Sequence, residues 1–217
     1  MYSYNKDIKE SNCNNITENR SKEQYFFSKN MVNNIVNSFD FVDKHKILCL
    51  CTPIVALGFK ENSDNSNFNI ENNINDIDNH VFCIDIDIRF NNKLNNFYSF
   101  DILEADKFIQ ENNYLKNYLK NDLEYIILDP PFFQIKLCDL RKAVDIITNF
   151  NYKIKLMISF VSREEKNLLF AFKSYNLCRT KLNVEYENVC PSKWDNYSIY
   201  SNFEQGKIKF VNKSKNN

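Results

Sequence analysis

The sequence predicts an α/β protein: a mostly parallel, doubly wound sheet that ends in an antiparallel strand pair. Three observations carry this. Short apolar runs of strand length alternate with stretches of helical periodicity through most of the 217 residues, a pattern that gives a parallel sheet covered by helices. The last two strand-like runs, 181–187 and 197–203, have no helix between them, which predicts an antiparallel edge. The run Tyr125-Ile126-Ile127-Leu128-Asp129-Pro130-Pro131-Phe132 is apolar and β-prone until it stops at two prolines, which cannot continue a central strand.

Taken in order, residues 1–20 are polar and Asn-rich and read as a disordered segment. Residues 21–40 read as a helix. Tyr25, Phe26, Phe27, Met31, Val32, Ile35, Val36 and Phe39 form its apolar stripe. The cluster Gln24-Tyr25-Phe26-Phe27 suits either core packing or the wall of a site. Residues 46–51 are a buried strand. Thr52 and Pro53 follow as the cap and first position of a helix. An Asn/Asp/Ser-rich stretch, 61–80, reads as a surface insertion. Strands follow at 80–88, 97–100, 123–128 and 154–160, with helices at 104–120, 139–150 and 164–175. The folded domain spans 21–205, and 206–217 is a basic tail.

Composition narrows the function. The chain carries 28 basic and 28 acidic residues, so a strongly basic nucleic-acid-coating protein is not indicated. It has 19 Phe and 12 Tyr, which favours a packed core over disorder. The start lacks an apolar signal segment, and no apolar run approaches the ~20 residues of a membrane span. The 7 cysteines contain no Cys-x-x-Cys pair, so no metal site is expected. They read as reduced thiols of a cytoplasmic or nuclear protein that is not secreted. Cys49 and Cys51 read as alternate residues of a buried strand.

The candidate site follows from strand ends. In open α/β sheets ligands bind outside the carboxyl ends of the strands, and acids stand there three times: Asp85 with Asp87, Asp101, and Asp129. Taken singly, each is a solvated strand end or a helix cap. Together they outline one rim. Asp85, or less readily Asp87, is placed to accept from the hydroxyls of a ribose, and Asp101 from an adenine amino group. Alternation puts Asp85 and Asp87 on the same strand face, so the two stay unresolved at this point. The loop Asp129-Pro130-Pro131-Phe132 presents a carboxylate, a carbonyl and an aromatic ring, a set suited to a planar amine. No glycine marks the first strand–helix turn, Cys51-Thr52-Pro53, which argues against NAD, FAD and P-loop sites. Thr52 and the following helix terminus are left to serve instead.

These residues resemble the N6-adenine methyltransferase-like proteins of eukaryotes. The resemblance rests on Gln24-Tyr25-Phe26-Phe27-Ser28, Leu48-Cys49-Leu50-Cys51-Thr52-Pro53, Asp85-Ile86-Asp87-Ile88-Arg89-Phe90 and Asp129-Pro130-Pro131-Phe132, and covers about 23–203. It implies a Rossmann-like class I methyltransferase fold with S-adenosyl-L-methionine as cofactor. Asp129, Pro130, Pro131 and Phe132 would be catalytic, and Cys51, Thr52, Asp85, Asp87 and Asp101 would hold the cofactor. Tyr25, Phe26 and Phe133 would contact substrate. Two branches are similar. The zinc-finger CCHC-type branch methylates an adenine of ribosomal RNA, and the Asp-Ile-Asp-Ile-Arg run and Phe132 look more like it. The other methylates a lysine of translation elongation factor 1-alpha, and the length and lack of zinc-binding cysteines look more like it. The expected partner is therefore ribosomal RNA or the elongation factor. Lacking zinc modules, an RNA enzyme would grip through the domain, its tails or an accessory protein.

Overall fold

The computed structural model describes residues 16–19, 21, 23–39, 46–65 and 80–211. The expectations for most of the N-terminal segment, for 66–79 of the insertion and for the end of the tail lie outside those residues.

A seven-stranded sheet forms the centre. Its strands are β1 (Ile47–Leu50), β2 (Val81–Asp85), β3 (Phe97–Ser99), β4 (Tyr125–Leu128), β5 (Lys155–Val161), β6 (Cys178–Arg179) and β7 (Tyr197–Ser201). They lie in the order β3-β2-β1-β4-β5-β7-β6. The first five pair in parallel, and β7 is antiparallel to both β5 and β6. This is a Rossmann-like methyltransferase architecture, mostly parallel with the antiparallel C-terminal pair.

The helices are α1 (Lys29–Val36), α2 (Pro53–Asn65), α3 (Ala105–Glu111), α4 (Asn113–Asn121), α5 (Leu137–Ile147) and α6 (Glu165–Ala171). Alternation along the strands builds two cores. Leu48 and Leu50 of β1 join Ile126, Leu128, Leu156 and the apolar sides of α4 and α5. Ile47 and Cys49 face the other way, onto Met31, Ile35, Val55 and Phe59 of α1 and α2. Both faces are covered, so these strands are apolar throughout.

The structure departs from expectation in three places that matter. The helix expected over 21–40 begins only at Lys29, with the Ser28 hydroxyl accepting from Met31 N–H as its N-cap. Residues 23–28 run as an extended strap instead. There Ser28 N–H donates to the Glu185 carbonyl and Glu187 N–H to the Phe26 carbonyl, bonds a helix would forbid. The strand expected over 181–187 meets that strap through a bridge between Phe27 and Tyr186, while the short β6 takes the place beside β7. β2 stops at Asp85 rather than at 88, because Asp87 accepts from Arg89 N–H and caps a turn of 3-10 helix, Ile88–Phe90.

Candidate active site

The chain leaves β1 toward β2 on one side of the sheet and reaches β4 on the other. The crevice above the carboxyl ends of β1 and β4 is therefore the switch point where such sheets bind ligands. The turn after β1 is made without glycine. Cys51 itself takes the left-handed conformation, with φ +55°, a region in which a side chain costs about 1–2 kcal/mol. Thr52 follows, and its hydroxyl donates to the Ile127 carbonyl of β4 at 3.1 Å. That bond ties the two loops that flank the crevice. Thr52 also stands at the expected cap position, its carbonyl accepting from Val55 and Ala56 N–H, and Pro53 opens α2.

A cavity of about 120 Å³ occupies this crevice, at the strand ends where open α/β sheets take their ligands. Cys51, Thr52, Asp85, Asp101, Asp129, Pro130, Pro131 and Phe132 all line it. Tyr25 and Phe26 line it from the strap, whereas Asp87 and Phe133 do not border it.

The two acids of the second strand end now separate. Asp85 is buried, accepts from Asp87 N–H at 2.7 Å, and faces the cavity. Asp87 lies past the strand, where alternation no longer holds. Its carboxylate takes the Arg89 guanidinium at 2.6 Å and the Gln24 side-chain amide at 2.9 Å. Burial alone would raise its pKa, but these hydrogen bonds win and hold it below the usual carboxylate value. Asp87 thus anchors the strap. Asp101 caps a 3-10 turn by accepting from Leu103 N–H at 2.9 Å while its side chain remains exposed at the cavity rim. Cap and site wall coexist in one residue. Burial first, then the charges of Asp85, Asp129 and Asp101, push the Cys51 thiol well up. The thiol is thereby held in its protonated form.

Asp129 sits at the end of β4, with Pro130 buried behind it. Its Oδ1 accepts from the Tyr186 hydroxyl at 2.8 Å, and that hydroxyl lies 2.9 Å from the Ser159 hydroxyl of β5. Burial pushes the Asp129 carboxyl up to about 8, against the pull of the hydrogen bonds from Tyr186 and Ser159. The same burial, with the charge of Asp129, pushes the Tyr186 phenol well up, so it stays a donor. The Pro131 carbonyl accepts from Gln134 and Ile135 and closes the loop. Phe132 is half-buried, packed edge-on against Phe160 with ring centroids 5.2 Å apart.

The strap holds this loop from above. One oxygen of Glu23 accepts from both Phe133 N–H and Gln134 N–H, at 2.9 and 3.0 Å. Phe27 stacks on Tyr186 at 5.2 Å and 18° between planes. Glu23, Ser159 and Tyr186 escaped the sequence reading. Tyr186 reaches Asp129 across 57 positions, and no local pattern announces such a contact.

The residues present suit S-adenosylmethionine. A carboxylate at the second strand end, an exposed carboxylate on the rim, and Ile86, Phe100 and Ile102 as apolar walls make a cradle for a nucleoside. Among the described residues no three His, Cys, Asp or Glu side chains gather as a metal site, and no helix is long and apolar enough to cross a membrane.

The sheet order, with a cavity at its switch point, is that of the Rossmann-like methyltransferase fold. A family model described as probable N6-adenine methyltransferase matches residues 18–205. The chain belongs to that family and is a methyltransferase. No match is found among curated proteins.

Proposed function

We propose that the enzyme transfers a methyl group from S-adenosylmethionine to the N6 nitrogen of an adenine in RNA, with ribosomal RNA as the substrate. The observation that carries this reading is the Asp129 carboxyl, fixed by Tyr186 beside the Phe132 ring in one cavity. The family description supports adenine as the methylated group.

In this reading Asp85 holds the ribose hydroxyls of the cofactor, Asp101 its adenine amino group, and the Cys51-Thr52 turn its main chain side. The bound cofactor supplies an electrophilic methyl group on a sulfonium. The work of the chain is positioning and charge stabilisation. Asp129 accepts one amino hydrogen of the target and the Pro130 carbonyl the other. This aims the nitrogen lone pair and raises its electron density. The nitrogen must shed one proton on methylation, and the high proton affinity of Asp129 suits it to receive that proton. Phe132 stacks on the adenine, which has to leave its own base stack to enter; such stacking is worth ~1–3 kcal/mol. Tyr25 and Phe26 close the cavity from the strap. An accessory protein would add to the RNA affinity of the chain.

Calorimetric titration with S-adenosylmethionine tests the cofactor half of this reading. Micromolar binding that Asp85→Ala weakens at least ten-fold is expected; no binding at millimolar cofactor would refute it. Transfer of label into elongation factor 1-alpha and none into RNA would replace adenine by lysine as the target.

A further inference from the structure

Beyond Phe132 the site does not end. A second, more open recess lies against the Asp-Pro-Pro-Phe loop, shares Phe132, Gln134 and Ile135 with the first cavity, and reaches Arg163 and Asn167 at the start of α6. Its most prominent feature is Phe133, 62% exposed, with the Arg163 guanidinium 5.8 Å from its ring centroid. The backbone beneath Phe133 is fixed, since its N–H is held by Glu23. The ring is therefore presented from a fixed point of the loop.

The pattern repeats along α6. Asn167 lines the recess, and three positions further, on the same helix face, Phe170 is 76% exposed. Lys173 Nζ stands 5.7 Å from the Phe170 ring centroid. Two exposed aromatic rings, each with a cation within about 6 Å of its centroid, thus stand at the recess and one helical turn beyond it. Over residues 162–173 the cations are Arg163, Lys166 and Lys173 and the acids Glu164 and Glu165. Glu164 is engaged by the Asn167 amide at 2.7 Å, and Glu165 by the Tyr200 hydroxyl at 3.0 Å and by Arg179. Lys136 adds a further cation on the loop side. Aromatic faces interleaved with cations match a single-stranded nucleic acid, whose bases stack while its phosphates seek positive charge.

We propose that this track binds the nucleotides flanking the target adenine, with Phe133 stacking the adjacent base, Phe170 a more distant one, and Lys136, Arg163 and Lys173 meeting phosphates. The proposal deepens, and rests on, the reading of the enzyme as an RNA methyltransferase. It explains how a chain with balanced charge grips RNA through a local patch.

The test is fluorescence anisotropy of the full chain with a labelled, adenine-containing single-stranded oligoribonucleotide, run beside methyl transfer to RNA and to elongation factor 1-alpha. Phe133→Ala and Phe170→Ala should each weaken oligonucleotide binding about five-fold or more. The double variant R163E/K173E should weaken it further and flatten its salt dependence. All three should melt and bind S-adenosylmethionine as the parent does, because the altered side chains are exposed. RNA methylation by the parent with undiminished oligonucleotide binding by the variants overturns the track and leaves the RNA reading standing. Transfer to the elongation factor alone overturns both. Loss of transfer to that protein in the variants, without oligonucleotide binding by the parent, makes the recess a peptide groove and also overturns the proposal.

Discussion

The Tyr186 hydroxyl donates a 2.8 Å hydrogen bond to Asp129 and thereby fixes one oxygen of the only acid on the Asp-Pro-Pro-Phe loop. Tyr186 is itself pinned by Ser159 on β5 and by Phe27 of the strap. The orientation of Asp129 is thus set jointly by the sheet and by the N-terminal segment. Tyr186→Phe removes the donor and leaves a desolvated carboxyl oxygen without it. Hydrogen bonds to charged groups contribute about 1.5–3 kcal/mol, so kcat should fall roughly 10- to 100-fold. The affinity for S-adenosylmethionine should hold. An unchanged kcat would remove Tyr186 from the positioning of Asp129.

The same bond lowers the Asp129 pKa against burial, which wins and sets it at about 8. A protonated carboxyl cannot accept from the target amine through its acidic oxygen. kcat/KM should therefore rise with pH and level off above about 8. In Tyr186→Phe the midpoint should move higher, because one group that draws the pKa down is gone. A pH–rate profile flat between pH 6 and pH 9, an interval of about three decades in proton activity, would contradict this.

Stability should show the opposite sign. The folded-state pKa of Asp129 is raised from the ordinary aspartate value of 3.8 to about 8, so the native state binds more protons than the unfolded chain between those values. Its contribution is fully present below about 4 and is lost as pH rises through about 8. Asp129→Asn removes that dependence. The difference in stability between Asp129→Asn and the parent should grow in favour of the variant from pH 5 to pH 8, a window inside those two values, measured by denaturant unfolding at each pH.

Glu23 holds the loop through two backbone N–H groups, with its own φ at +51°. Both bonds are exposed, so their effect on global stability is small. Their effect on the loop is direct. Glu23→Ala should speed amide hydrogen exchange at Phe133 and Gln134 at least several-fold while the melting temperature moves little. Unchanged exchange at these two amides would show that the loop holds its shape without the strap.

Gly58 tests the packing of α1 on α2. In a helix interior Gly→Ala ordinarily stabilises by about 0.8–1.0 kcal/mol. Here a Cβ would stand 2.3 Å from Cγ1 of Val32, and overpacking of this kind costs about 1–3 kcal/mol. The clash outweighs the propensity, so Gly58→Ala should destabilise. Adding Val32→Ala should recover most of that loss in chemical denaturation. Stabilisation by Gly58→Ala alone would show that Val32 moves aside freely.

The sheet was legible because its strands are buried on both faces and separated by helical periodicity, as at 46–51 and 123–128. Cys51 illustrates the limit of that reading. The missing glycine was visible, but only the backbone shows a cysteine adopting the left-handed turn itself. Tyr25, Phe26 and Phe27 sat at helical spacing, yet hydrogen bonds to Glu185 and Glu187 draw that segment out as a strap. Periodicity is blind to a partner so distant in sequence. Asp85 and Asp87 were inseparable until the strand ended between them. Tyr186 had no signature, since its role comes from a contact the chain makes only after folding.

Asp129 in carboxylate form, acting on an adenine amino group, is the centre of this account. Incubation of purified enzyme with S-adenosylmethionine and ribosomal RNA, followed by nucleoside mass spectrometry, tests it most directly. N6-methyladenosine should accumulate with the parent enzyme and not with Asp129→Ala, while both bind the cofactor. Equal accumulation with Asp129→Ala, or none with a parent enzyme that binds S-adenosylmethionine, would contradict it.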